Sequence, residues 1–105
     1  MTHKEITANE LKAMLDEGRV LLVDVREPGE FAAGHIAGAV NHPLSRFEPG
    51  AIDAPAGKRV VLQCAGGKRS GMALDKCAAA EAAIDTHLAG GIGAWAAAGL
   101  PVVTG

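Results

Sequence analysis

The chain has 105 residues, a mass of 10.6 kDa and a formal net charge of −2, a length that suits one compact domain spanning residues 1–105. Its apolar content of 49% includes 21 alanines, which leaves 30 larger apolar side chains, 22 of them Ile, Leu or Val; this excludes a disordered chain and predicts a modest aliphatic core. No run reaches the ~18 uncharged apolar residues of a membrane span, and ten basic against twelve acidic residues give no field for holding nucleic acid.

Along the chain, Ile6-Thr7 reads as a short opening strand that runs into a helix. Thr7 followed by Glu10 forms a capping-box pattern, Ala8, Leu11, Met14 and Leu15 recur at helical spacing, and Gly18 is placed to stop the helix. Val20 to Val25 is a β-branched run without alternation, the pattern of a strand buried on both faces. Pro28 suits the first turn of a short helix ending at Ala33, with Gly34 closing it. Ala39-Val40-Asn41 is a weak strand, and Ser45 to Lys58, punctuated by Pro49, Gly50, Pro55 and Gly57, reads mostly as loop.

Arg59 to Gln63 is a second buried strand, and it ends on Cys64. Ala65-Gly66-Gly67 leads into a helix from about Lys68 to Ala82. Thr86-His87-Leu88 is a last short strand, followed by Gly90-Gly91 and a small helix over Ala94 to Ala98. Strands alternating with helices predict an α/β fold, a parallel sheet with helices on both faces. Functional groups in such folds gather at the carboxyl ends of the strands. Cys64 sits at one such end, and Asp24 lies near another.

The segment Cys64-Ala65-Gly66-Gly67-Lys68-Arg69-Ser70 carries the chemistry. Its glycines let the backbone fold into a nest of N–H groups that holds an anion, and the helix start adds partial positive charge. Between Ala54 and Leu74 stand four basic residues, Lys58, Arg59, Lys68 and Arg69, and no acidic one. Each feature favours thiolate over thiol, so Cys64 is expected below the free thiol value of about 8.5. A thiolate among donors is a nucleophile suited to an anionic substrate.

Three stretches resemble the single-domain rhodaneses, the sulfurtransferase family. Asp24-Val25-Arg26-Glu27-Pro28-Gly29-Glu30-Phe31, continuing through Gly34-His35-Ile36-Ala37-Gly38-Ala39-Val40-Asn41, resembles the upstream signature. Cys64 to Ser70 resembles the active-site loop. Gly90-Gly91-Ile92-Gly93-Ala94-Trp95 with Gly99-Leu100-Pro101-Val102 resembles the closing signature. The resemblance implies a rhodanese-like three-layer fold with a five-stranded parallel sheet. It also implies that Cys64 takes the sulfane sulfur of thiosulfate or a persulfide donor, holds it as a persulfide, and passes it to cyanide or a thiol, including a thiol on a protein. Ala65, Gly66, Gly67, Lys68, Arg69 and Ser70 would bind the substrate, with no metal or organic cofactor. Rhodanese domains of this kind also precede a membrane hairpin in longer proteins, and the end at Gly105 is compatible with a complete chain or an excised domain.

Loop length separates this chemistry from that of related phosphatases and arsenate reductases. Four residues stand between Cys64 and Arg69, where those enzymes have five, and the smaller nest suits a sulfur atom better than a tetrahedral oxyanion. The rival of a different class is a sulfur-carrying or redox-sensing module in which Cys64 signals without turnover.

Other residues have plainer readings. Cys77 falls about nine residues into the helix, hence roughly 14 Å along its axis from the loop, too far for a disulfide to Cys64; with Ala73 and Ala80 it makes a core stripe. Asp24 and Arg26 are candidates for the site rim, with Asp24 expected to cap the following turn and Arg26 to pair with Glu30. His35 is expected to tie its loop by a backbone hydrogen bond, and Trp95 to anchor packing. Neither His35 nor His42 belongs to a cluster with metal-ligand spacing. Two cysteines are too few for a disulfide scaffold, and no apolar leader follows Met1, so a reducing cytoplasm is the expected compartment.

Overall fold

The computed structural model describes residues 3–105. Nine regular elements alternate along it: β1 (Lys4–Ile6), α1 (Ala8–Asp16), β2 (Val20–Asp24), α2 (Pro28–Ala33), β3 (Val40–Asn41), β4 (Arg59–Gln63), α3 (Lys68–Ala79), β5 (Thr86–Leu88) and α4 (Gly91–Ala97). The five strands form one sheet in the order β1-β5-β4-β2-β3, and every pairing is parallel.

The two apolar runs make the centre of the sheet. β2 and β4 pair over their full length, Val20 opposite Arg59 through Asp24 opposite Gln63. Their side chains alternate between two cores, as pleating requires. Leu22 and Val61 pack with Ala8, Leu11, Ile36, Leu88 and Trp95 on the α1 and α4 side. Val23, Val25, Leu62 and Cys64 pack with Phe47, Ala73, Leu74 and Cys77 on the α3 side. Helices therefore cover both faces, as the β-α alternation predicts. Gln63 is fully buried, and among the described residues its side-chain amide has no hydrogen-bond partner, a burden of about 1–3 kcal/mol.

Local chemistry sets most element ends. Thr7 is the N-cap of α1 and exchanges both capping-box hydrogen bonds with Glu10; the opening strand stops one residue earlier, at Ile6, because Thr7 is committed to the helix. Pro28 opens α2 and Gly34 closes it. The loop between β3 and β4 contains two single 3-10 turns, Leu44–Arg46 and Pro49–Ala51. Helix α3 ends at Ala79, three residues short of the expected Ala82, and α4 begins at Gly91, three residues ahead of the expected Ala94. None of the described helices is long and apolar enough to cross a membrane.

Candidate active site

Chain direction through the sheet locates the site. From β2 the chain steps outward to β3, whereas from β4 it steps the other way to β5. The carboxyl ends of β2 and β4 therefore border the crevice where winding reverses, the place where open α/β sheets bind ligands. Cys64 directly follows β4, and Asp24 and Arg26 come from the end of β2.

Cys64 is 1% exposed, while Ala65, Gly66 and Lys68 of the loop that follows it are exposed. The Gly67 N–H donates to Sγ at 3.0 Å. Gly67 is in the left-handed region at φ 105°, a conformation that glycine adopts without a Cβ penalty and that turns its N–H inward as α3 begins. On the other side, Sγ lies 3.5 Å from the Ser70 hydroxyl, itself fully buried. Burial of the sulfur opposes ionisation, but the Ser70 hydroxyl and the N–H groups of Ser70, Gly67 and Gly66 outweigh it, so the thiol sits below its ordinary value.

The loop rests on the Gly90-Gly91 turn. The N–H groups of Ile92 and Gly93 donate to the carbonyls of Cys64 and Ala65 at 2.8 and 3.1 Å. Gly91 has φ 58°, and a Cβ there would overlap the Cys64 carbonyl oxygen and lie 2.7 Å from the Ala65 carbonyl carbon. Only glycine permits this approach. Gly90 and Gly91 enter the sequence reading only as the turn before the last helix and the start of the closing signature, and their support of the Cys64 loop was not foreseen.

The structure sorts the candidate residues. Gly66, Gly67 and Ser70 act on the sulfur, Ala65 is the exposed residue that follows Cys64, and Lys68 is the exposed first residue of α3. Arg69 is not a free cation: its guanidinium donates to both carboxylate oxygens of Glu30 in α2, at 2.6 and 2.9 Å. The hydrogen bonds from Arg69, opposed by burial and helped by the Glu27 N–H, hold the Glu30 carboxyl down at about 2. The expected Arg26–Glu30 pair is therefore replaced by two others. Arg26 grips Asp24 through Nε and Nη2 and donates from Nη2 to the Gly34 carbonyl at 2.6 Å, while Asp24 accepts the Arg26 N–H at 2.9 Å. The capping role expected of Asp24 is met. Both side chains are buried, and Asn41 adds bonds to the Asp24 and Arg26 carbonyls. Together they brace the β2–α2 turn that carries Glu30 toward Arg69.

The plainer readings have their places too. His35 Nδ1 lies 2.9 Å from the Phe31 carbonyl, and Trp95 is buried with its indole N–H on the Pro101 carbonyl. Cys77 is buried beside Ala73, and burial pushes its thiol up; Ala80, expected in the same stripe, is exposed. No group of three or more His, Cys, Asp or Glu able to hold a metal occurs among the described residues.

A family profile described as the Rhodanese-like domain matches residues 7–98. An uncharacterized protein from Synechocystis is 42% identical over 102 residues, 97% of this chain; the chain spans 57% of that relative's length. A protein named sulfurtransferase from Allochromatium vinosum is 37% identical over 100 residues and 94% of each chain. Among solved structures, a rhodanese-related protein from Thermoplasma volcanium superposes with a TM-score of 0.82 at 29% identity, covering 98% of this chain and 100% of the other. With a buried cysteine just past the carboxyl end of its central strand and a family match over residues 7–98, this chain belongs to the rhodanese-like family.

Proposed function

We propose that this protein is a cytoplasmic sulfurtransferase that works through a Cys64 persulfide. The Cys64 thiolate attacks the outer sulfur of thiosulfate. A new Sγ–S bond forms as the donor's S–S bond breaks, and sulfite leaves with the bonding pair. A thiol in the cell, or cyanide in an assay, then attacks the outer sulfur and regenerates the thiolate. A persulfide donor enters the same scheme, its thiolate leaving in place of sulfite.

The observation that carries this reading is the set of polar groups converging on one sulfur: the Gly67 N–H donates to Sγ at 3.0 Å, and the Ser70 hydroxyl, 3.5 Å away, accepts from the thiol and can donate to the thiolate. N–H groups from Ala65 to Ser70 would cradle the outer sulfur anion, a charge held better by fixed dipoles than by mobile water. Lys68, exposed at the helix start, would draw the sulfonate. Arg69 would contribute through its remaining donors, since Glu30 holds part of its fork. Asp24 and Arg26 would shape the rim by fixing α2.

A steady-state assay of thiocyanate formation tests this. The protein should turn over thiosulfate and cyanide with ping-pong kinetics, Cys64→Ser should lose activity entirely while folding normally, and Cys77→Ser should keep most of it. Absence of turnover in the unaltered protein would instead favour a module that carries or senses sulfur without releasing it.

A further inference from the structure

We propose that Ser70, His87 and Glu5 form a proton relay that empties the buried Cys64 thiol, with His87 as a positioning residue acting through Ser70. The proposal deepens the sulfur-transfer reading, since it concerns how the same nucleophile is formed. A thiol that is 1% exposed has little direct contact with water to receive its proton, yet three contacts lead from it to the surface. Sγ stands 3.5 Å from Ser70 Oγ, Ser70 Oγ stands 2.7 Å from His87 Nδ1, and His87 Nε2 stands 3.3 Å from Glu5 Oε2. Ser70 and His87 are buried, whereas the Glu5 side chain is 60% exposed.

Three separate elements meet to make this line. The start of α3 supplies Ser70, β5 supplies His87, and the pairing of β1 with β5 sets Glu5 opposite His87. His3 approaches the His87 ring edge-on at 6.0 Å between centroids and is itself held by Asp75 of α3 at 2.9 Å. Among the described residues, the charged and titratable groups around His87 are Glu5, His3 with Asp75 behind it, and Cys64 beyond Ser70. Burial pushes the His87 imidazole below its ordinary value, with Glu5 opposing and His3 adding to the effect, so the ring is neutral at neutral pH and has a lone pair to offer.

The transfer balances without any change of oxidation state. With the thiol protonated, S–H donates to Ser70 Oγ, the Ser70 hydroxyl donates to Nδ1, and Nε2–H donates to Glu5. Ser70 has a second acceptor, the Gly67 carbonyl at 3.2 Å, but His87 is nearer. The S–H bond breaks and its proton bonds to Ser70 Oγ. The original serine proton passes to Nδ1, and the Nε2 proton passes to the Glu5 carboxylate and then to water. His87 ends neutral in its other tautomer. The two hydrogen bonds of Ser70 have reversed, so it now donates to the thiolate that it previously relieved of a proton and accepts from Nδ1–H, while Nε2 and the Glu5 carboxylate, both acceptors once the proton is in water, are bridged by solvent.

The rate of Cys64 alkylation by iodoacetamide as a function of pH, resolved from Cys77 by peptide mass spectrometry, tests this without any sulfur donor. Ser70→Ala and His87→Gln should each move the midpoint upward by about one unit, a roughly tenfold fall in thiolate-dependent rate at neutral pH. The double variant should shift no further than either single one, and Ser70→Thr should restore the original profile. A folded His87→Gln protein with an unchanged midpoint, or additive shifts in the double variant, would overturn the relay. In the unaltered protein, histidine 15N shifts should place the His87 proton on Nε2 below the thiol midpoint and on Nδ1 above it; the same tautomer on both sides would also overturn it. Failure of thiocyanate formation with this pH response intact would count against sulfur transfer alone.

Discussion

The Arg69 guanidinium, five residues beyond Cys64, already has a partner. Glu30 takes two of its N–H groups, and the pair links the first turn of α3 to α2. The groups that favour the Cys64 thiolate are therefore the Ser70 hydroxyl and backbone N–H groups, and the N–H groups are fixed by the fold and do not reorient when charge develops. The pair also sets a pH response. The Glu30 carboxyl is lowered from 4.5 to about 2, so the stability it contributes is fully present above pH 4.5 and is lost as pH falls through about 2. Thermal unfolding followed from pH 5 to pH 2 should show Glu30→Gln losing less stability over that window than the unaltered protein; parallel curves would show that the pair adds nothing. Individual residues of the site were legible in the sequence because Cys64 and its glycines are contiguous. Their partners were not, since Arg69 meets Glu30 and Ser70 meets His87 only after distant segments fold together.

Among the elements, the central strands were the easiest to read. Val20 to Val25 and Arg59 to Gln63 have no other stable use than strands covered on both faces, and they form the best-paired ladder of the sheet. Helix ends were harder. The alanines from Ala78 to Ala83 favour helix by propensity, yet α3 stops because the chain must return to β5. It does so through a Schellman arrangement, with Glu81 N–H on the Ala78 carbonyl at 3.1 Å and Ala82 N–H on the Cys77 carbonyl at 2.8 Å. Glu81 takes the left-handed position at φ 57° where glycine is usual, so the stop had no glycine to announce it. At α4 the signal was present, because Gly91 both starts the helix and lies against the Cys64 carbonyl. Gly91→Ala should cost about 1–3 kcal/mol in strain and overlap and lower sulfur transfer more than tenfold by displacing the loop. Urea unfolding alongside the thiocyanate assay checks both, and an unaltered rate would show that the loop does not depend on this support.

For the whole molecule, the parallel sheet is what turns scattered residues into a site. Reversal of winding between β2 and β4 brings the braced Asp24–Arg26 turn alongside Cys64, while the β1–β5 pairing carries Glu5 to His87 and so opens a line from the buried sulfur to the surface. The architecture itself was legible from the alternation of apolar runs and helical stretches. The hydrogen-bond line behind the sulfur was not, because β1 is only three residues long and nothing in its sequence names its partner strand. The proposed transfer rests on Cys64 Sγ as the atom that carries sulfur. Mass spectrometry of the protein treated with thiosulfate, then freed of excess reagent without reductant, tests it most directly. The predicted result is the added mass of one sulfur atom on the Cys64 peptide, removed by cyanide; an unchanged mass, or sulfur found on Cys77, would contradict it.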